Sequence, residues 1–188
     1  MAKVKMSKKS TKIDMTAMCD VAFLLLSFFV MTSTAKVPEP LPVDTPASTR
    51  ETKLPDTDLV TITVGDGKVF FGMVGQDVRA DALGRIAEKY KLTFTEDETK
   101  RFSLIDGFGV PAGSLKGLIA LKSDERNKDG VQAGVPYDSI DNQLREWILA
   151  ARYATKDLHQ KELKVAIKGD AKEEYPTIKK VIDILQDQ

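Results

Sequence analysis

Asp20 is the residue of this sequence with the clearest chemical potential, because it lies in the only apolar run of membrane length, residues 15–35. A charged carboxylate near the centre of a bilayer costs roughly 2.5–3.5 kcal/mol on insertion scales, and such residues usually face protein or water and carry a function. At 100° per residue, Thr16, Asp20 and Ser27 fall within about 40° of one another on a helix. Together with Thr34, they form one narrow polar stripe on an otherwise apolar helix.

The chemistry expected of Asp20 is reversible protonation. No Lys or Arg occurs between Lys12 and Lys36, so the helix itself holds no cation that could neutralise the carboxylate. An apolar surrounding disfavours the charged form of a carboxyl group, and one proton crossing the membrane yields about 2.3 kcal/mol per 100 mV. We predict that Asp20 carries protons with Thr16 and Ser27 as a supporting polar face, in a site that other chains complete. For the two hydroxyl residues, hydrogen bonding between membrane helices is an equally good interpretation.

Residues 13–35 have the length and apolarity of a single transmembrane helix. Five lysines and no acid precede it in residues 1–12, which predicts a cytoplasmic N-terminus and an exported C-terminal part by the positive-inside rule. A cleaved signal peptide is the alternative, with its apolar core at 21–31 and small residues after it. Asp14, Asp20 and the length of the run favour a retained anchor.

A linker and one folded domain follow the helix. Residues 36–58 hold five of the eight prolines among Thr, Ser, Asp and Glu, a composition that favours an extended, semi-rigid linker. Residues 59–188 are predicted to form a small α+β sheet-and-helix domain of order ββα(α)αβα. Its periodicities predict strands at 60–64, 68–71 and 163–168 and helices at 79–90, 113–122, 137–153 and 176–185.

Local signals refine this prediction. Gly65-Asp66-Gly67 is a hairpin signal between the first two strands, and Asp138 or Ser139 is a plausible N-cap for the long helix. Trp147 is expected to anchor the core from that helix. Residues 93–110 are ambiguous between helix and strand.

Composition excludes several classes of function. Lys and Arg together number 28, as do Asp and Glu, so the overall charge does not indicate nucleic-acid binding. The single cysteine, Cys19, rules out an internal disulfide framework, and the single histidine, His159, is expected to be a solvated surface residue. No metal-ligand cluster, phosphate loop or nucleophile–base pair occurs, so we predict neither a cofactor nor an enzyme.

Two stretches of the sequence resemble one family. The run from Ile13 to Phe29, IDMTAMCDVAFLLLSFF, resembles the transmembrane signature I-N-V-T-P-x-x-D-V of the ExbD/TolR biopolymer transport family. The run from Lys164 to Gln186, KVAIKGDAKEEYPTIKKVIDILQ, resembles the closing strand, loop and helix of that family, V-x-I-x-A-D-x-x-x-x-Y-x-x-V-x-x-V-x-D-x-L. The resemblance covers about residues 11–72 and 160–187.

The resemblance implies roles for particular residues. Asp20 matches the family's proton-translocating carboxylate, Thr16 the threonine of its T-P pair, and Tyr175 the aromatic residue where the last helix starts. It also implies a bacterial inner-membrane location with a periplasmic C-terminal domain. The implied partners are a ring of ExbB/TolQ-like multi-span subunits, a second copy of this chain, and a TonB- or TolA-like protein that receives the proton-motive energy.

The sequence also departs from the family pattern. Asp14 replaces the usual Asn and Ala17 the usual Pro, and the segment at about 93–157 is longer than a compact family domain needs, which predicts an inserted helical segment. In the family, a last strand usually follows the final helix, whereas the predicted final helix of this sequence is followed only by the short stretch that ends at Gln188. Two alternatives stay open, namely a membrane-anchored scaffold or cell-wall-binding protein without proton translocation, and an exported binding domain released near Ala35.

Overall fold

The computed structural model of this chain describes residues 15–33, 39–45, 53–128, 130–138 and 141–188. It divides into two compact units, residues 1–37 and residues 38–188. The basic segment predicted at 1–12, both ends of the helix predicted at 13–35, and Thr34 of the polar stripe lie outside the described residues.

The described part of the first unit is one helix, α1, Met15–Thr32. Its 18 residues have a mean hydropathy of 1.9, and at 1.5 Å per residue they span about 27 Å, close to the thickness of a bilayer core. No residue of α1 is buried, which leaves its whole circumference available to lipid or to other chains. The helix is therefore long and apolar enough to cross a membrane.

The second unit is built on a four-stranded sheet of order β3-β2-β1-β4. Strands β1 (Leu59–Gly65) and β2 (Lys68–Met73) form an antiparallel hairpin. Its two turn residues, Asp66 and Gly67, both have positive φ, as a type I′ turn requires, so the predicted hairpin is confirmed. Strand β4 (Lys164–Gly169) runs parallel to β1, and the two-residue strand β3 (Gly107–Phe108) pairs with β2.

Six helices of the second unit lie within the described residues, and together with the sheet they confirm the α+β class. They are α2 (Gln76–Tyr90), α3 (Glu96–Ser103), α4 (Leu115–Ala120, after a 3-10 turn), α5 (Ser123–Arg126), α6 (Gln143–His159) and α7 (Tyr175–Gln186).

Helix α6 corrects the predicted bounds of 137–153, because it begins and ends six residues later. Its N-cap is Asn142, whose side-chain oxygen accepts the Arg145 backbone N–H at 3.0 Å. Asp138 is therefore not the cap, and Ser139 lies outside the described residues. The apolar stripe extends into the buried Ala154, and the helix stops only where Gln160 turns left-handed at φ 53. The cap at Asn142 and the left-handed turn at Gln160 are both local features. The prediction missed the first of them because the polar residue Asp138 is also of a type that caps helices.

The ambiguous segment at 93–110 contains α3 and β3. The sequence carried a signal for α3, since Thr95 and Glu98 form a reciprocal capping box in which each side chain accepts the other residue's backbone N–H. Strand β3 is too short for a period-2 pattern to reveal it.

An aromatic cluster forms the centre of the core. Trp147 of α6 is fully buried, as predicted. Its ring centroid lies 4.7 Å from that of Phe108, 5.9 Å from Phe102 and 6.1 Å from Phe71, within the range of favourable aromatic pairs. Phe102, Phe108 and Trp147 all come from the segment at 93–157, so this segment supplies much of the core.

Candidate functional site

The candidate site on α1 is its polar stripe, and the structure places Thr16, Asp20 and Ser27 on one face of the helix. Asp20 is the only charged residue between Met15 and Ser33 and is exposed, like the rest of α1. Ser27 donates its hydroxyl to the Leu24 carbonyl at 2.9 Å. The hydroxyl proton of Ser27 is thus used inside the helix, while its oxygen remains able to accept a hydrogen bond.

Asp170 and Tyr175, which lie in the second matched stretch of the sequence, both belong to the second unit. Tyr175 is the first residue of α7 and is 69% exposed, with Pro176 behind it in the favoured first turn. Asp170 follows β4; its backbone N–H donates to Val64, and its side chain accepts the Lys172 N–H at 2.9 Å. These contacts shape the loop between β4 and α7 and leave the Tyr175 side chain exposed.

His159 corrects the sequence prediction, because it is not merely a solvated surface residue. Its Nδ1 contacts a side-chain oxygen of Asp58, and its Nε2 lies 2.8 Å from a side-chain oxygen of Asp77. Asp58 itself is only 7% exposed. We call Asp58, Asp77 and His159 the carboxylate–histidine cluster.

Topology explains why these three residues meet although 101 positions separate the first from the last. Asp58 precedes β1 and His159 lies shortly before β4, and these parallel strands start side by side, with the Lys164 N–H donating to Asp58 at 2.9 Å. The antiparallel strand β2 ends at the same edge, where α2 begins with Asp77 in its first turn. No local sequence spacing could have shown this convergence.

Charge is concentrated in this cluster. The hydrogen bonds that His159 donates to Asp58 and, second in effect, to Asp77 raise the pKa of His159. The hydrogen bond from His159 in turn lowers the pKa of Asp58 and of Asp77. Lys161 adds a further positive charge 3.6 Å from Asp58. The cluster therefore favours an imidazolium between two carboxylates.

Residues 39–45 of the predicted linker lie against the sheet. Val60, Ile62 and Val64 face the core, so the alternate residues of β1 face the other side. On that side, a Cβ built on Gly65 would lie 3.0 Å from Val43 and 3.1 Å from Leu41, and Pro40 approaches Gly107 of β3. An ion pair between Glu39 and Lys168 of β4, at 2.5 Å, and a hydrogen bond from the Ala171 N–H to the Asp44 carbonyl, at 2.9 Å, add polar contacts. We call residues 39–45 the strap.

Among the described residues, no group of three or more His, Cys, Asp or Glu side chains is arranged to hold a metal ion.

Comparison with known proteins places the chain in a family. The family model described as "Biopolymer transport protein ExbD/TolR" matches residues 6–188, while no curated protein and no solved structure matches the chain. Proteins of this family are not enzymes; they act in the energy transduction of biopolymer transport and work with ExbB/TolQ-type partners. With nearly its whole length matched, the chain belongs to the ExbD/TolR family, and its described residues include one helix long and apolar enough to cross a membrane.

Proposed function

We propose that this chain is the inner-membrane subunit of a proton-driven motor of ExbB–ExbD type, which passes proton-motive energy to a TonB-like protein that energises outer-membrane transport. The observation that carries the proposal is Asp20, the one charge on a membrane-length helix that holds no cation between Met15 and Ser33. Family membership supports the coarser role in biopolymer transport.

In this proposal, Asp20 takes up a proton from one side of the membrane and releases it to the other. The neutral acid is tolerated in an apolar surrounding, whereas the carboxylate needs polar groups or water. A ring of ExbB/TolQ-like subunits provides those groups, because the described face of α1 around Asp20 offers only Thr16 and Ser27. Two copies of the chain inside the ring present two such carboxylates, and each proton contributes about 2.3 kcal/mol per 100 mV.

The orientation follows from charge. The five lysines in residues 1–12 stay on the cytoplasmic side, so the domain that begins at β1 lies in the periplasm. There the domain can meet a TonB-like client, and neither a cofactor nor catalysis is needed.

Asp20→Asn tests the proposal, since it keeps the shape of the side chain and removes its titration. The variant is expected to abolish energy-dependent uptake while copurifying with the ring-forming partner as the wild type does. Ser27→Ala is the matched control on the same face. Its effect is expected to be mild, because the Ser27 hydroxyl already bonds to Leu24 within the helix and no buried charge is left unpaired.

The possible results distinguish proton transfer from the alternative functions. Unchanged uptake by Asp20→Asn with normal assembly would refute proton transfer and favour a membrane-anchored scaffold. Loss of copurification would instead show that Asp20 orients helices. The N-terminal mass of the membrane-bound protein decides the remaining alternative, because a chain that keeps residue 1 is not a processed, exported domain.

A further inference from the structure

The end of α6 and the turn after it line a cleft. Gln160 adopts a left-handed conformation and returns its backbone N–H to the Lys156 carbonyl at 3.0 Å. This turn brings the following residues back past the last turns of α6. The resulting cleft has a volume of about 560 Å³, and its lining residues are Arg152, Lys156, Gln160, Lys161, Glu162 and Leu163.

The cleft is positively charged. Its lining holds three cations, Arg152, Lys156 and Lys161, and one acid, Glu162, which gives a net charge of +2. Lys161 already lies 3.6 Å from Asp58, a carboxylate outside the lining. Neither Arg152 nor Lys156 forms an ion pair within the described residues, whereas the nearby Arg85 has Asp81 and Asp157 as partners.

The helix itself does not account for these cations. Arg152 and Lys156 are four residues apart, a spacing at which like charges on a helix repel each other. The dipole of α6 favours a cation in its last turn only, which includes Lys156 but leaves out Arg152, seven residues before His159. Arg152 is nevertheless partly buried in the cleft wall. Its charge lacks an ion-pair partner among the described residues, and an anion in the cleft would supply one.

We propose that this cleft binds a phosphate group. Arg152 and Lys156 form no ion pair among the described residues, and the dianion of inorganic phosphate or of a phosphate monoester carries the two negative charges that would balance them, whereas a carboxylate carries one. The planar guanidinium of Arg152 suits two phosphate oxygens at once, and Lys156 and Lys161 act as point charges beside it. The Gln160 side-chain amide adds a neutral donor. The cleft has room for the phosphate and for part of the group that carries it.

Glu162 should affect phosphate binding in the opposite direction to the cations. Its carboxylate lines the same cleft and repels an anion there. Glu162→Gln is therefore expected to tighten phosphate binding, while Arg152→Gln and Lys156→Gln weaken it. A surface that collects anions only through general positive charge would respond equally to any charge change on the domain.

The test measures binding of inorganic phosphate to the full chain in a maltoside detergent, by isothermal titration at constant ionic strength. Arg152→Gln and Lys156→Gln are each expected to weaken binding by roughly 10-fold or more, as expected for the loss of a charge-assisted hydrogen bond. The matched control is Arg145→Gln, which removes the same charge from an exposed position at the start of α6 and should leave affinity within about 2-fold. Absence of phosphate binding by the wild type, or equal weakening by Arg145→Gln, would overturn the proposal.

Two sources can supply the phosphate, and a nanodisc experiment distinguishes them. If the group belongs to a lipid, discs rich in phosphatidic acid, whose headgroup is a phosphate monoester, should weaken the binding of added inorganic phosphate to the wild type more than discs of phosphatidylcholine do. If it belongs to a soluble phosphate compound, the two kinds of disc should give equal affinities. The same discs should be tested with Arg152→Gln. If they weaken phosphate binding to this variant by the same factor as in the wild type, the lipid acts at another place, which would count against a lipid in this cleft.

Discussion

His159 contacts a carboxylate through each of its two ring nitrogens, and this geometry defines its charge. A neutral imidazole carries only one N–H, so it can donate to Asp58 or to Asp77 but not to both. Two hydrogen bonds donated to two carboxylates therefore require the imidazolium form of His159. The three residues join the start of β1, the first turn of α2 and the end of α6, so the protonation of one side chain affects how three elements are held together.

The stability of the domain should depend on pH through this histidine. Because the pKa of His159 is raised in the folded state, its contribution is complete below the ordinary value of about 6.5 and is lost as pH rises through the raised pKa. The pKa values of Asp58 and Asp77 are lowered, so their contribution is lost only when pH falls below about 4. We expect the cluster to stabilise most between about pH 4 and 6.5.

The measurement is urea unfolding of the full chain, followed by the fluorescence of its single tryptophan, which is buried in the core. Between pH 6 and 9, the free energy of unfolding of the wild type should fall relative to that of His159→Gln. The difference in free energy between the two proteins should therefore become smaller as pH rises. The sequence has one histidine, and the variant retains every other group that titrates there. Parallel pH profiles for the two proteins would contradict a role for the imidazolium.

At the scale of elements, Arg79 connects a helix, a strand and a loop. It is 8% exposed and extends from α2. Its guanidinium donates to the Met73 carbonyl at the end of β2, to the Ser103 carbonyl at the end of α3, and to Asp106 at 2.8 Å. Strand β3 begins immediately after Asp106, so this one side chain sets the position of the segment that carries Phe108 into the core.

Arg79→Met should destabilise the domain by about 2–4 kcal/mol, because Met keeps the apolar stem but leaves buried carbonyl groups without a donor. Arg101→Met is the matched control on α3, where the side chain is exposed and no ion pair is recorded among the described residues; it should change stability by less than about 0.5 kcal/mol. Urea unfolding monitored by Trp147 fluorescence measures both. Similar losses in the two variants would show that the Arg79 contacts add little.

The sequence predicted elements wherever a local signal was sufficient. The hairpin was predicted from Gly65 to Gly67 because a type I′ turn demands those residue types, and Trp147 was predicted as a core anchor because it lies on a long apolar stripe. Element bounds depended on caps, and α6 moved by a turn and a half because Asn142, not an earlier polar residue, caps it. The carboxylate–histidine cluster was not predicted at all, since only the parallel pairing of β1 and β4 brings Asp58 to His159.

In the whole molecule, the segment between the membrane helix and β1 is not only a linker, because part of it packs on the sheet. Its composition did not predict this packing. Residues 36–58 read as extended linker, yet residues 39–45 contact the sheet through both apolar and ionic groups. Proline fixes φ and prevents ladder hydrogen bonds at its own position, so the strap can lie on a sheet face without becoming another strand. Its partners, Gly65 and Gly107, have no side chains, which makes room for Leu41, Val43 and Pro40. Composition alone cannot show this fit, because the space is provided by distant glycines.

Weakening the strap should make the linker easier to cleave without unfolding the domain. The double variant Leu41→Ser, Val43→Ser removes the apolar contacts near Gly65, each worth on the order of 1 kcal/mol for a partly buried side chain. Limited proteolysis of the full chain should then cut near residue 45 several times faster than in wild type, while the urea midpoint reported by Trp147 stays close to that of wild type. Thr45→Ser, an exposed change in the same strap, should leave the cleavage rate unaltered. Equal rates in wild type and double variant would mean that the strap contacts do not hold residues 39–45 on the sheet in solution.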